Sequence, residues 1–139
     1  MSLIEFQDYP STETPLNAEN LNYNFSHIVE SGSNDNGNWV KYSDGTMLCY
    51  GTRLFENVDV TKAWGNIYET ESSIDFGNFP QTFKEAPKVF LTQGYGSTMF
   101  VEMLGSTTKE KIGSTWLWSP VTRAKAYINY NFLAIGRWK

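Results

Sequence analysis

The sequence predicts a mainly β protein: an N-terminal extended arm and a short α-helix, followed by a six- to seven-stranded antiparallel β-sandwich. Three observations carry this. From residue 38 onward, β-branched and aromatic residues alternate with polar ones in short runs bounded by Gly, Pro, Asn and Ser. A single stretch, near the N-terminus, has the helical period instead. Finally, nine Phe, eight Tyr and five Trp in 139 residues supply the core of one domain without help from disulfides or a structural metal.

Residues 6–14 are polar and extended around Pro10 and Pro15. Asn17 then offers an N-cap, Leu16 and Leu21 have the spacing of a hydrophobic staple, and Glu19 suits the positive end of a helix dipole. Apolar residues follow at Leu21, Phe25, Ile28 and Val29, and Gly32 stands at the expected stop. A helix of about 14 residues is marginal alone in water and needs a partner for its stripe. That partner is either the chain's own β domain or other copies of the helix. The order of arm, helix and linker favours the second, a short helical bundle with Leu21, Phe25, Ile28 and Val29 in its seam.

Residues 31–38 (SGSNDNGN) read as a linker. The chain therefore divides into 1–32, an arm and self-association helix, and 33–139, a β domain. In the latter, 39–42 and 46–54 flank Ser43-Asp44-Gly45 as a hairpin. Residues 72–76 form a strand, with Phe79 and Phe83 packing the irregular connection after it. Strands 88–94 and 98–105 are joined by a hairpin across Tyr95-Gly96-Ser97. The strand 114–119 places Trp116 and Trp118 on one face and Leu117 on the other, and 126–136 alternates Ile128, Tyr130, Phe132 and Ala134 against Tyr127, Asn129, Asn131, Leu133 and Ile135. Phe76, Phe79, Phe83, Phe90, Tyr130 and Phe132 suffice for one core.

Eleven Lys and Arg against fifteen Asp and Glu give a net charge of −4, which argues against nucleic acid as a partner. One cysteine, Cys49, and one histidine, His27, leave no zinc cluster of the usual kind and no Cys/His nucleophile. No cofactor is implied. The N-terminus lacks a basic region with an apolar run, and no stretch approaches the roughly 18 apolar residues of a membrane span. Folding in a cytosol without membrane insertion is the expectation.

Three sets of residues carry a family resemblance. The run from Phe6-Gln7-Asp8-Tyr9-Pro10 through Pro15-Leu16-Asn17 to Ala18-Glu19-Asn20-Leu21-Asn22 resembles the start of tail and baseplate proteins of phages that infect Gram-positive bacteria. The run Asn38-Trp39-Val40-Lys41-Tyr42 with Gly45-Thr46-Met47-Leu48, and the ending Ile135-Gly136-Arg137-Trp138, look like C-terminal modules of phage tail fibres. Phe79-Pro80, Phe83, Pro87 and Lys88-Val89-Phe90-Leu91 are similar to the middle of H-type lectins. The resemblance implies a homotrimer on a phage or prophage virion tail, made in the bacterial cytoplasm. Its arm would dock onto other tail or baseplate proteins, and its H-type-lectin-like sandwich would bind host cell-wall polysaccharide. H-type lectins hold N-acetylgalactosamine with an aromatic beside a histidine before the last strand. That connection reads Ser119-Pro120-Val121-Thr122-Arg123 here, so that specificity does not carry over.

Sugar binding needs a flat aromatic for the ring face and convergent polar groups for the hydroxyls. Trp116 and Trp118, with Arg123 nearby, Tyr95 in a Gly-flanked turn, and Trp64 in a long loop are the carbohydrate-binding candidates. For Trp116 and Trp118, burial in the core or in a trimer seam is the competing reading. A polysaccharide hydrolase would need two carboxylates about 5 to 9.5 Å apart. Glu69, Glu71 and Asp75 are close in sequence and Glu56 with Asp59 is another pair; Glu69 and Glu71 could share a strand face, as solvated acidic pairs also do. The expectation is a non-enzymatic binding protein; the alternative is a structural trimeric tail or tip protein without sugar binding.

Overall fold

The computed structural model describes residues 27–103 and 105–139. They form eight strands: β1 Ile28–Asn34, β2 Gly37–Tyr42, β3 Thr46–Trp64, β4 Ile67–Thr70, β5 Lys88–Gly96, β6 Phe100–Met103, β7 Thr115–Ser119 and β8 Arg123–Arg137. All pairings are antiparallel and belong to one sheet. The expected sandwich of six or seven strands is thus an eight-stranded continuous sheet, because two long strands run through both of its halves. Strand β8 lies along one edge of β3 from Thr46↔Arg137 to Val60↔Arg123. The other edge of β3 takes β2 at its start and β4 at its end. One wing is therefore β1-β2-β3-β8-β5, and the other is β8-β3-β4-β7-β6.

The helix expected over 17–31 lies mostly outside the described residues, as do Leu21 and Phe25. Its last part is corrected: Ile28 and Val29 belong to β1, and the boundary at residue 32 falls inside that strand. The linker is corrected too, since 31–38 supplies both arms of the β1–β2 hairpin. Glu30 fixes the pairing, its carboxylate accepting from Trp39 Nε1 at 2.9 Å and Lys41 Nζ at 3.0 Å. The Lys41 bond, then the Trp39 bond, holds the Glu30 carboxyl below its ordinary range. At the turn Asn36 N–H donates to Asn34 Oδ1 at 2.9 Å. Gly37 follows at φ 122°, where a side-chain carbon would stand 2.6 Å from the Tyr50 carbonyl oxygen; only glycine continues the strand there.

The Ser43-Asp44-Gly45 hairpin stands as expected, and so do β7 and β8. Residues 72–76 make one isolated bridge, Ile74↔Thr115, instead of a strand. The hairpin across Tyr95-Gly96-Ser97 is absent: β5 pairs with β8, and β6 with β7.

Alternation on β8 buries Ala126, Ile128, Tyr130, Phe132 and Ala134, with Met47 and Cys49 of β3 beside them. The connection 71–87 covers this face with three aromatics. Phe76 packs on Tyr130 at 5.7 Å between ring centroids and on Phe55 at 5.1 Å, while Phe79 meets Phe83 at 5.1 Å and Phe132 at 6.4 Å. This loop has no ladder of its own, so its backbone is satisfied by the β6–β7 connection: Phe79 N–H donates to Glu110 O, Phe83 N–H to Lys109 O and Ile112 N–H to Gly77 O. Phe90 is corrected from core to surface, 57% exposed.

Arg53 ties three segments together. Its guanidinium donates to Phe76 O at 2.6 Å, Asn78 O at 2.9 Å and Asn36 O at 3.0 Å, and lies 4.7 Å from the Phe132 ring centroid. Arg53→Met leaves those carbonyls without this donor, and the expected cost is about 2–4 kcal/mol. Urea titration reads it as a lower midpoint with unchanged slope. Cys49 is fully buried, and desolvation pushes its thiol up to about 11. Since the thiolate is the reactive form, native protein at pH 8 should resist a thiol-reactive dye that labels the urea-unfolded chain within minutes.

Candidate functional site

The sequence Trp64-Gly65-Asn66-Ile67 closes a tight hairpin between β3 and β4, with Gly65 at φ 60°. Trp64 is therefore the last residue of a strand, not part of a long loop, and 55% of its surface is exposed. Its ring stacks on Trp118 of β7, with 5.4 Å between centroids and 25° between planes. Ladder register builds the rest: Lys62 faces Glu69, Glu69 faces Trp118, and Trp118 faces Phe100. Residues directly opposite share a face, so these four side chains cross the wing in one row, turned away from the core side where Leu117 is buried.

Phe100, 61% exposed on the edge strand β6, extends the aromatic surface beyond Trp118. Trp116, two residues before Trp118, shares its face and is half-buried. At the other end of the row Lys62 Nζ and Glu69 Oε1 are 2.8 Å apart. The hydrogen bond to Glu69 raises the Lys62 pKa, with the charges of Glu69 and Glu71 acting the same way; Lys62 remains a cation at neutral pH. The row thus offers a flat aromatic surface with an ammonium donor and a carboxylate acceptor beside it. Such a surface can take the apolar face of a ring and hold hydroxyls at its edge.

Three of the five carbohydrate candidates, Trp64, Trp116 and Trp118, come together on this face. Arg123 does not: it donates from Nε to Ser119 Oγ at 3.3 Å, and Ser119 lies on the buried side of β7. Tyr95 stands apart on β5, its hydroxyl 3.0 Å from that of Tyr127 and its ring 5.7 Å away. Sequence reasoning missed Phe100 and Lys62, and weighed Glu69 only as a hydrolase carboxylate. The Gly65-Asn66 turn signal and the alternation of Thr98-Met99-Phe100-Val101 contained them. Of the carboxylate pairs, Glu69 is engaged by Lys62, and β4 ends at Thr70 before Glu71.

A second exposed surface lies on the outer face of the larger wing. Register sets Tyr50 opposite Leu133 and Leu133 opposite Phe90, with Leu48 and Ile135 paired in the next outward row. Tyr50, Leu54, Phe90, Leu133 and Ile135 are all exposed here. Ile28 and Val29 are exposed on β1, at the sheet edge.

No family model matches this chain, and no curated protein matches it. Two solved structures are similar. The C-terminal part of the R1 pyocin fibre of P. aeruginosa is 21% identical over 86% of this chain, with a TM-score of 0.49, and this chain spans 31% of that structure's length. An N-truncated R1-type pyocin tail fibre is 21% identical over 86% of this chain and 96% of that one, with a TM-score of 0.48.

Proposed function

We propose that this chain is a phage or prophage tail protein that binds host cell-wall polysaccharide without cleaving it, through the surface formed by Trp64, Trp118 and Phe100. One observation carries the reading: a stacked tryptophan pair is held on a sheet face with its outer member more than half exposed. Burial of large aromatics is the rule, and a rigid ladder that presents one to solvent pre-organises a contact surface. The tail-protein part rests on the resemblance of the N-terminal run and of the ending Ile135-Gly136-Arg137-Trp138. In this reading the residues that precede β1 dock onto neighbouring tail or baseplate proteins. Three copies join through the apolar outer face of β3, β8 and β5, so that three weak sites act together.

The test is retention of purified protein on insoluble cell-wall fragments from a panel of Gram-positive bacteria. Retention by one wall type and release by its soluble polysaccharide is the expected result. Absence of retention on every wall would leave the purely structural reading, which the apolar outer face favours. Release of reducing sugar from a wall would replace binding with hydrolysis.

A further inference from the structure

At the open end of the β3–β4 hairpin, opposite the Trp64 tip, a groove of about 300 Å³ is lined by Asn57, Val58, Asp59, Thr70, Glu71, Ser72 and Ile74. Its shape comes from the backbone. Two register shifts in the β3–β8 ladder, between Phe55 and Val58 and between Val58 and Val60, bend β3. Asn57 and, on the facing strand, Lys125 take φ of 56° and 51°. The Asp59 carboxylate stabilises this distortion, accepting from Lys125 N–H at 2.7 Å through Oδ1. Thr70 is likewise engaged, donating to Ser72 O at 2.8 Å.

The second Asp59 oxygen, the Asn57 amide, the Glu71 carboxylate and the Ser72 hydroxyl then remain for a ligand, and Val58 and Ile74 give the groove its apolar lining. Polar groups converging over a small apolar patch suit a hydroxyl-rich ring. Two carboxylates in so small a groove, on a chain of net charge −4, repel a phosphodiester or carboxylate polymer. Asp59, the last groove residue on β3, and Trp64 are five positions apart on one strand, about 17 Å at the usual rise, a distance that a short oligosaccharide bridges. Lys62 lies between the two places and feels the charge of Glu71.

Resting on the glycan-binding reading above, we infer that this groove is a second sugar subsite, so that the chain takes an extended, neutral polysaccharide and discriminates against anionic wall polymers. The aromatic row grips one ring by its face, and the groove grips a ring a few units further along the same polymer by its hydroxyls.

The experiment is a glycan array of neutral oligosaccharides of graded length beside glycerol-phosphate oligomers, probed with the full chain, with Ser72→Tyr, which fills the groove, and with the near-isosteric Glu71→Gln. The unaltered chain should bind long neutral oligomers about tenfold better than monosaccharides, the worth of one or two further hydrogen bonds. Ser72→Tyr should lose that gain and keep monosaccharide binding, and Glu71→Gln should lose part of it. A length gain that survives both substitutions overturns the subsite and leaves the aromatic surface standing. Preference of the unaltered chain for glycerol-phosphate oligomers overturns the charge argument. Binding to nothing on the array overturns the subsite, and cell-wall retention then shows separately whether the glycan-binding reading survives for another polymer.

Discussion

Trp64→Ala should bring cell-wall retention down to background while the protein still unfolds cooperatively within a few degrees of the parent. Trp64 sits at a hairpin tip and is more than half exposed, so the sheet loses little on truncation. The structural loss is the stack on Trp118 at 5.4 Å, worth about 0.5–1.5 kcal/mol. The ligand loses more, because the removed ring is the outer half of the flat surface. A loss of about tenfold per site compounds to on the order of a thousandfold when three tethered sites must hold together. Trp64→Phe keeps an aromatic face and should retain part of the binding. Calorimetry separates the causes: a large fall in melting temperature would mean that Trp64 serves the fold. Full retention by Trp64→Ala would remove this surface from the binding role altogether.

How much of this was legible can be judged strand by strand. The alternation in 126–136 named the buried side of β8 correctly, because a strand with one covered face leaves a period of two that no other element imitates. Phe90 was misplaced by residue type alone. Its own strand alternates, but which parity faces inward is decided by register with Leu133, a residue far away in sequence. Pairing of β5 with β8 instead of β6 is non-local in the same way; adjacent β-prone runs with a glycine turn between them look like a hairpin unless longer strands capture each first. Ile28 and Val29 fitted a helical stripe, and what decides for a strand is the backbone ladder of β1 with β2, from Ile28↔Tyr42 to Asn34↔Gly37. At the candidate site the tryptophans were visible as surplus to a core. Their meeting was not, since it depends on β4 standing between β3 and β7.

The double variant Phe90→Asp/Leu133→Asp should convert an assembly of about three times 15.9 kDa into monomer, read by light scattering at micromolar concentration. The two residues face each other across β5 and β8, and Tyr50 completes the row on β3. They point away from the core, where Ala134 and Phe132 of the same strand are buried, so a carboxylate at either position stays in water in the free chain. In the proposed trimer the same carboxylates would be enclosed against apolar neighbours, and an unpaired buried charge costs several kcal/mol after relaxation. Repetition by symmetry applies that cost at every subunit boundary, far more than a seam of this kind can absorb. An exposed apolar sheet face of this extent is itself unusual in a monomer. Single substitutions should weaken assembly in a concentration-dependent way, and Thr92→Asp, outward on β5 one row away, should act less because its row already pairs polar Thr52 with Asn131 at 2.9 Å. If the unaltered chain scatters as a monomer, or if the double variant assembles like the parent, the outer face of β3, β8 and β5 is not the seam. Avidity in cell-wall binding must then come from the tail that carries the chain.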